Sequence, residues 1–561
     1  MTLLDWSVLV FTIGFIVVYG AWKTRGGDAE SYLRDGTLRW PTIGLSIMAT
    51  QASAITFLST PGQAFDDGMR FVQFYFGLPL AMVVISAVFV PIYYRLKVYT
   101  AYEYLEHRFD HRVRYLGALL FLVQRGLAAG ITIYAPSIIL ASIMGWRLDW
   151  VIVAIGVVVI GYTVSGGTKA VSQTQKQQMI VMMGGMAVAA AVVVWRLPGE
   201  VSLPSAVSLA GALDRMNVIS FDLDPGSRYN FWSGITGGFF LALSYFGTDQ
   251  SQVQRYLSGR SVTESRLGLI FNGMFKVPMQ FFILFIGILV FVFYLFTQPP
   301  IFFNQAALER ARATEHGAAL QAIEARYDSA FAARRDAASA FVASRGDEAL
   351  EAAARARLRE ASAAVDEIRG EAKELVARAL PGTETKDADY VFLGFVLRYL
   401  PSGLVGLLIA VILCAAMSST ASELAALGQT STVDLWERAL GRIPRPERRL
   451  LVSKLFTVFW GLLAIGFATF ASLVDNLIEA VNILGSIFYG TVLGLFVVGF
   501  FVKRVSATPV LIAALVAQSI VAALYFASDL GFLWFNVIGC AVVVILSAIL
   551  EASLPRRRPA V

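Results

Sequence analysis

Cysteine and histidine are scarce in this chain, with two and three respectively among 561 residues. Cys414 and Cys540 both fall inside apolar runs, which argues against a disulfide framework or a cysteine metal site. His107, His111 and His316 lie in polar segments, so an intramembrane enzyme has no histidine base to work with. Charge is thin as well, at 15% of residues against 57% hydrophobic, and mean hydropathy is +0.65. A soluble domain this apolar would aggregate, so the chain reads as an integral membrane protein. Its first run, MTLLDWSVLVFTIGF, lacks the basic n-region and small-residue cleavage site of a signal peptide and is expected to remain as a span. No Asn-x-Ser/Thr acceptor lies in an expected outer segment, which points to a bacterial inner membrane.

What is present is a series of about thirteen stretches near the ~20 residues that cross a bilayer. They begin at 4–22, 42–65, 72–94 and 115–144 and end at 506–527 and 531–552. Basic residues collect in alternate short loops, as at Lys23, Arg25, Arg34 and Arg39, then Arg95, Lys97, Arg108, Arg112 and Arg114, and later Arg442 and Arg556 to Arg558. By the positive-inside rule the N-terminus is expected outside and the C-terminus in the cytoplasm. The formal charge of +6 reflects that asymmetry and contact with anionic lipid, and implies no nucleic-acid partner.

From about Asn304 to Asp389 the composition turns to Ala, Glu and Arg, all strong helix formers. A break at Ser344-Arg345-Gly346-Asp347 and a stop at Pro381-Gly382 predict an extracytoplasmic hairpin of two helices. It is either a docking site for a protein partner or a tolerated insertion.

Polar side chains interrupt the membrane-grade sequence at three places. In AAMSSTASELAALG, positions Ala415, Ser418, Ser419 and Ser422 share one helix face. Such a face presents hard oxygens to a small alkali cation, or lets two helices pack closely. In PTIGLSIMATQASAITFLSTPGQAF the second span carries Thr50, Gln51, Ser53, Thr56, Ser59 and Thr60 before meeting Pro61-Gly62, which strains a regular helix. The seventh span, SGITGGFFLALSYFGTDQSQVQR, joins Gly237-Gly238 and Gly247 to Tyr245, Thr248 and Asp249. Paired broken helices in corresponding halves are a mark of inverted-repeat transporters.

The chain resembles the sodium/solute symporter family. The resemblance rests on AAMSSTASELAALGQTSTVDLW, TFLSTPGQAFDDG, IYAPSIIL, SGGTKAV and FGTDQSQVQRYLSG, and its motifs are most similar to the iodide, multivitamin and monocarboxylate branch. It implies an all-α integral membrane protein with a five-plus-five inverted-repeat LeuT-type core. The expected divisions are a first helix and cytoplasmic loop (1–41), a first repeat (42–196), an external loop (197–229), a second repeat (230–502) interrupted by the 304–389 hairpin, and two final helices with a short tail (503–561). By motif position the resemblance also implies a sodium site made of Ala49 and Ala52 carbonyls, the Ala415 carbonyl, and the Ser418 and Ser419 hydroxyls. Neutral oxygens suit a monovalent ion that must be released each cycle. Gln175 stands where many family members carry an aspartate, and its lost charge points to one sodium per cycle.

Candidate substrate residues are Gln51, Thr56, Gln73, Tyr75, Tyr245, Lys276 and Asn482. Lys276 lies about 15 Å deep by helical rise, where an ammonium either binds a solute or pairs with a carbonyl or Asp249. In the sodium/galactose symporter the matching lysine touches the sugar, and Tyr245 matches its aromatic gate. Gln51, Thr56, Tyr75 and Ala242 depart from that sugar site, which argues against a hexose. Tyr75 and Asn482 have alternative roles as an interfacial anchor and a helix-packing amide, and Arg125 either attracts an anion or snorkels toward the cytoplasm. The expected function is sodium-coupled import of a small solute, with sodium as coupling ion and no other cofactor. The alternative is a transporter-like sensor acting through a separate protein, and a membrane enzyme ranks third for want of a nucleophile and base.

Overall fold

A computed structural model describes residues 1–23, 32, 35–227, 229–381, 387–441, 444–470 and 477–553. Arg25, Arg34, Gly382, Arg442 and Arg556 to Arg558 lie outside the described residues. The helices that position the site are α1 (Leu3–Lys23), α2 (Trp40–Gln51), α3 (Ala54–Asp67), α4 (His111–Met144), α5 (Leu148–Arg196), α6 (Gly238–Thr248), α7 (Gln250–Leu257) and α8 (Val262–Phe296). There follow α9 (Gly317–Ala343), α10 (Glu348–Ala379), α11 (Ala388–Tyr399), α12 (Leu404–Thr430), α13 (Pro446–Ala468), α14 (Leu477–Phe501), α15 (Ala507–Ala527) and α16 (Leu533–Ser553). Among the described residues there is no strand, only one isolated parallel bridge between Leu38 and Gly259. Nine helical stretches among them are long and apolar enough to cross a membrane.

Local chemistry sets the ends and bends of these helices. Asp110 caps α4 by accepting from the Arg112 and Val113 amides, and Ser261 caps α8 through the Glu264 amide. α5 is two helices merged across Gly167, whose φ of +56° is open to glycine and strained for other residues. Asp5 of α1 accepts from the Gly403 and Gly406 amides at 2.6 and 3.2 Å, so a buried carboxylate sits on the N-terminus of α12.

The second and seventh spans are both broken, as their polar content predicts. The first break is at Ala52-Ser53, between α2 and α3, and not at Pro61, which α3 accommodates in its interior. Proline forfeits one backbone bond, whereas the run of small and hydroxyl residues around Ala52 gives the chain alternative partners earlier. The second break is at Asp249, whose backbone is extended between α6 and α7. α12 lies at the centre, packed against α2, α3, α4, α5 and α7, and almost all of it is buried.

The inserted segment holds the two long helices expected, α9 and α10, separated at 344–347, together with a short leading helix at Gln305–Arg312. The turn uses Gly346 at a φ of +101°. Leu320, Tyr327, Val365, Ile368 and Val376 form its core with Ile301 and Phe302. It is bonded to the rest of the chain: Arg334 donates to the Tyr294 carbonyl at 3.0 Å and Arg359 to the Ala212 carbonyl at 2.8 Å. Asp387, fully buried, joins Arg369 at 3.2 Å, Lys373 at 2.7 Å and the Phe303 amide at 2.6 Å. Burial alone would push its carboxyl up, but Arg369 and Lys373 outweigh that and hold it below the ordinary carboxylate range.

Candidate functional site

The break in the second span frees backbone oxygen where α12 brings hydroxyls. In a continuous helix the Ser53 amide would bond the Ala49 carbonyl, but here it donates to Gln51 at 3.0 Å. The Ser418 hydroxyl donates across to that Ala49 carbonyl at 3.0 Å. Ser419 donates to Ala415 within its own helix at 2.8 Å. Ala49, Ala52, Ala415, Ser418 and Ser419 are all buried, and the Ala49 carbonyl and the two serine hydroxyls keep lone-pair capacity beyond the bonds described.

Gln175 of α5 ties the same two walls together. Its amide nitrogen faces Thr50 Oγ1 at 3.0 Å, the Ser418 carbonyl at 3.1 Å and Ser422 Oγ at 2.7 Å, while its oxygen accepts from Ser46. Ser422 therefore serves helix packing, with Thr50 also 3.1 Å away.

Beside this cluster a cavity of about 80 Å³ opens between α3, α4, α6, α12 and α14. Gln51, Thr56, Tyr75, Tyr245 and Asn482 line it, as does Ser419. Gln73 and Lys276 do not. Gln73 is bonded to the Tyr229 carbonyl at 3.1 Å and the Ser220 amide at 3.0 Å, which fastens it to the 197–229 loop. Lys276 is fully buried on α8, its Nζ 5.6 Å from the Tyr75 ring centroid and without a hydrogen-bond partner. Its proposed pairing with Asp249 is absent, because Asp249 is bonded to Arg125.

That ion pair belongs to a network that sequence reasoning did not assemble. Arg125 does not snorkel: it is buried, and it reaches Asp249 and, at 3.1 Å, Glu423. Thr132 donates to Glu423 at 2.8 Å, and the Tyr489 hydroxyl donates to Asp249 at 3.0 Å. Arg125, Thr132, Glu423 and Tyr489 all line the cavity, together with Ser53. The available signal was the presence of carboxylates at positions 249 and 423 inside apolar spans, since an intramembrane charge calls for a partner.

A model of the sodium:solute symporter family matches residues 32–323 and 370–517, leaving 324–369 of the helical insert outside it. The human sodium/iodide cotransporter is 36% identical over 298 residues, covering 52% of this chain and 46% of that protein. The Xenopus laevis sodium-coupled monocarboxylate transporter 1 is 34% identical over 276 residues, covering 48% and 44%. The chain thus matches about half the length of these curated relatives. Among solved structures, a Na+-coupled sialic acid symporter in a substrate-bound outward-open state superposes with a TM-score of 0.75 at 23% identity, over 99% of this chain and 98% of that one. That likeness establishes a shared fold.

Proposed function

Because the chain belongs to the sodium:solute symporter family, we propose that it is a sodium-coupled secondary transporter importing a small solute by alternating access. Relatives named for sodium-coupled iodide and monocarboxylate transport support the coupling ion. One observation of the structure carries the reading furthest: a carbonyl released at a helix break, Ala49, meets a hydroxyl of the facing helix, Ser418, in a buried polar seam. Sodium then binds among Ala49, Ala52, Ala415, Ser418 and Ser419, and the solute in the adjoining cavity, with Ser419 on the wall of both.

Breaks at Ala52-Ser53 and Asp249 in the second and seventh spans favour the five-plus-five inverted repeat. Ion binding between α2 and α12 stabilises one arrangement of the bundle, which gives the reciprocal coupling a symporter needs. One sodium per cycle is the stoichiometry we favour, because the Gln175 amide nitrogen itself fills the space between Thr50, Ser418 and Ser422. One charge crossing 100 mV supplies about 2.3 kcal/mol, sufficient for tens-fold accumulation.

Uptake into proteoliposomes under an inward sodium gradient, across sugars, monocarboxylates, vitamins, inorganic anions and amino acids, tests this reading. Sodium stimulation of at least one solute is expected, and its absence for every solute transported would remove the coupling.

A further inference from the structure

The cavity wall contains one cation and one carboxylate, Arg125 and Glu423, and Asp249 lies enclosed behind them. Arg125 is consumed by this cluster. Its Nε and Nη2 donate to Asp249, Nη2 also to the Tyr489 hydroxyl, and Nη1 to Glu423 at 3.1 Å. Four of five guanidinium hydrogens are thereby used, and the Tyr245 ring stacks over the group at 5.3 Å. With both carboxylates ionised the cluster carries one excess negative charge. The other buried cation, Lys276, lies against the Tyr75 ring and makes no hydrogen bond or ion pair with this cluster.

The candidate ion ligands, by contrast, are all neutral oxygens, so they leave the charge of a bound sodium unmatched. Glu423 is four residues beyond Ser419 on the same helix, about 6 Å along its axis, and both line the cavity. An unmatched charge in a desolvated interior is costly, and a nearby opposite charge offsets it.

We propose that the Arg125–Asp249–Glu423 cluster is the counter-charge for the coupling ion, and that the cavity consequently takes a solute of no net charge that presents an ammonium or hydroxyl donor. The inference rests on the sodium-symport reading. Sodium and cluster sum to zero, so a monovalent anion would restore an unmatched charge, and Arg125 has a single hydrogen left to offer it. The cavity is instead rich in acceptors. Glu423 accepts one bond on each oxygen and retains capacity for more, and Gln51 Oε1 is buried on the same wall without a partner.

The full-length protein in nanodiscs is titrated with ²²Na⁺. Glu423→Gln keeps shape and hydrogen-bonding capacity while removing the charge, and should raise the sodium half-saturation about tenfold. Asp249 also caps α7 by accepting from the Ser251 amide at 2.9 Å; Asp249→Asn keeps that acceptor and should produce a similar rise, a match that a charge sum requires and a packing role does not. Either variant suffices if the other misfolds, and an unchanged sodium curve overturns the counter-charge. In proteoliposomes the same protein is given L-alanine, glucose, pyruvate or iodide. Sodium-driven uptake of alanine or glucose with one positive charge entering per solute supports the proposal. Saturable sodium-driven uptake of pyruvate or iodide overturns the neutral solute while leaving symport standing. A wild-type protein that binds no sodium overturns the symport reading and this inference with it.

Discussion

Ser418→Ala is the most informative single change at the proposed ion site. It removes one oxygen of five from the sodium set and the 3.0 Å bond that joins α12 to the Ala49 carbonyl. The two losses act on different quantities. The cross-helix bond contributes about 0.6 kcal/mol on the scale of membrane-protein hydrogen bonds and affects the protein with or without sodium. The lost ligand affects only the ion-bound state; at about 1.4 kcal/mol it is a tenfold rise in sodium half-saturation. Alanine adds no atom, and the position is fully buried, so no new contact with water or lipid complicates the comparison. Sodium titration of ²²Na⁺ binding reads the ligand term, and thermal unfolding in sodium-free potassium buffer reads the packing term. A wild-type sodium curve accompanied by a lower unfolding temperature would show that Ser418 is a packing residue, and would refute its place among the ligands.

Other expectations follow from packing and charge. Gly62→Ala would set its Cβ 1.9 Å from the Ala388 carbonyl oxygen, forcing α3 away from α11; a loss of about 1–3 kcal/mol is expected, measurable as a lower unfolding temperature. Gly184→Ala is its control, with nothing within 4 Å of the added carbon, and should be neutral or slightly stabilising. Asp387→Asn should weaken docking of the α9–α10 hairpin by about 2–3 kcal/mol and speed hydrogen exchange around Phe303. Since the native carboxyl of Asp387 is held below its ordinary value of 3.8, its contribution is complete above that value and is lost as pH falls through the lower native one. Hairpin exchange should therefore be flat with pH from neutrality down to about pH 4 and rise only below it, after correction for the intrinsic exchange rate. A rise between pH 5 and 7 would mean that another group controls docking.

The features legible in the sequence were those with a local signature. Apolar runs gave the helices, and hydroxyls at 50–60 and 418–422 marked the seam between α2 and α12 without showing which carbonyl Ser418 meets. The strain in the second span was legible in its hydroxyls and Pro61-Gly62, but the amide of Ser53 choosing Gln51 over Ala49 is a geometric event that no single residue announces. The charge cluster was harder still. Arg125 lies 124 residues from Asp249 and 298 from Glu423, so each looks like an isolated charge until the helices are assembled. Gln73 and Lys276 carried the right chemistry for a cavity, yet their helices turn them toward the 197–229 loop and the Tyr75 ring. The side-chain pattern gave depth and helix face; it could not give which neighbour each face meets.

Coupling itself is tested most directly by following ²²Na⁺ and a labelled, transported solute simultaneously into the same proteoliposomes. The account predicts one sodium entering per solute, accumulation of the solute above equilibrium only while the sodium gradient lasts, and loss of both fluxes in the Ser418→Ala/Ser419→Ala double variant. Solute entry at an equal rate in potassium, with no accompanying sodium, would contradict it.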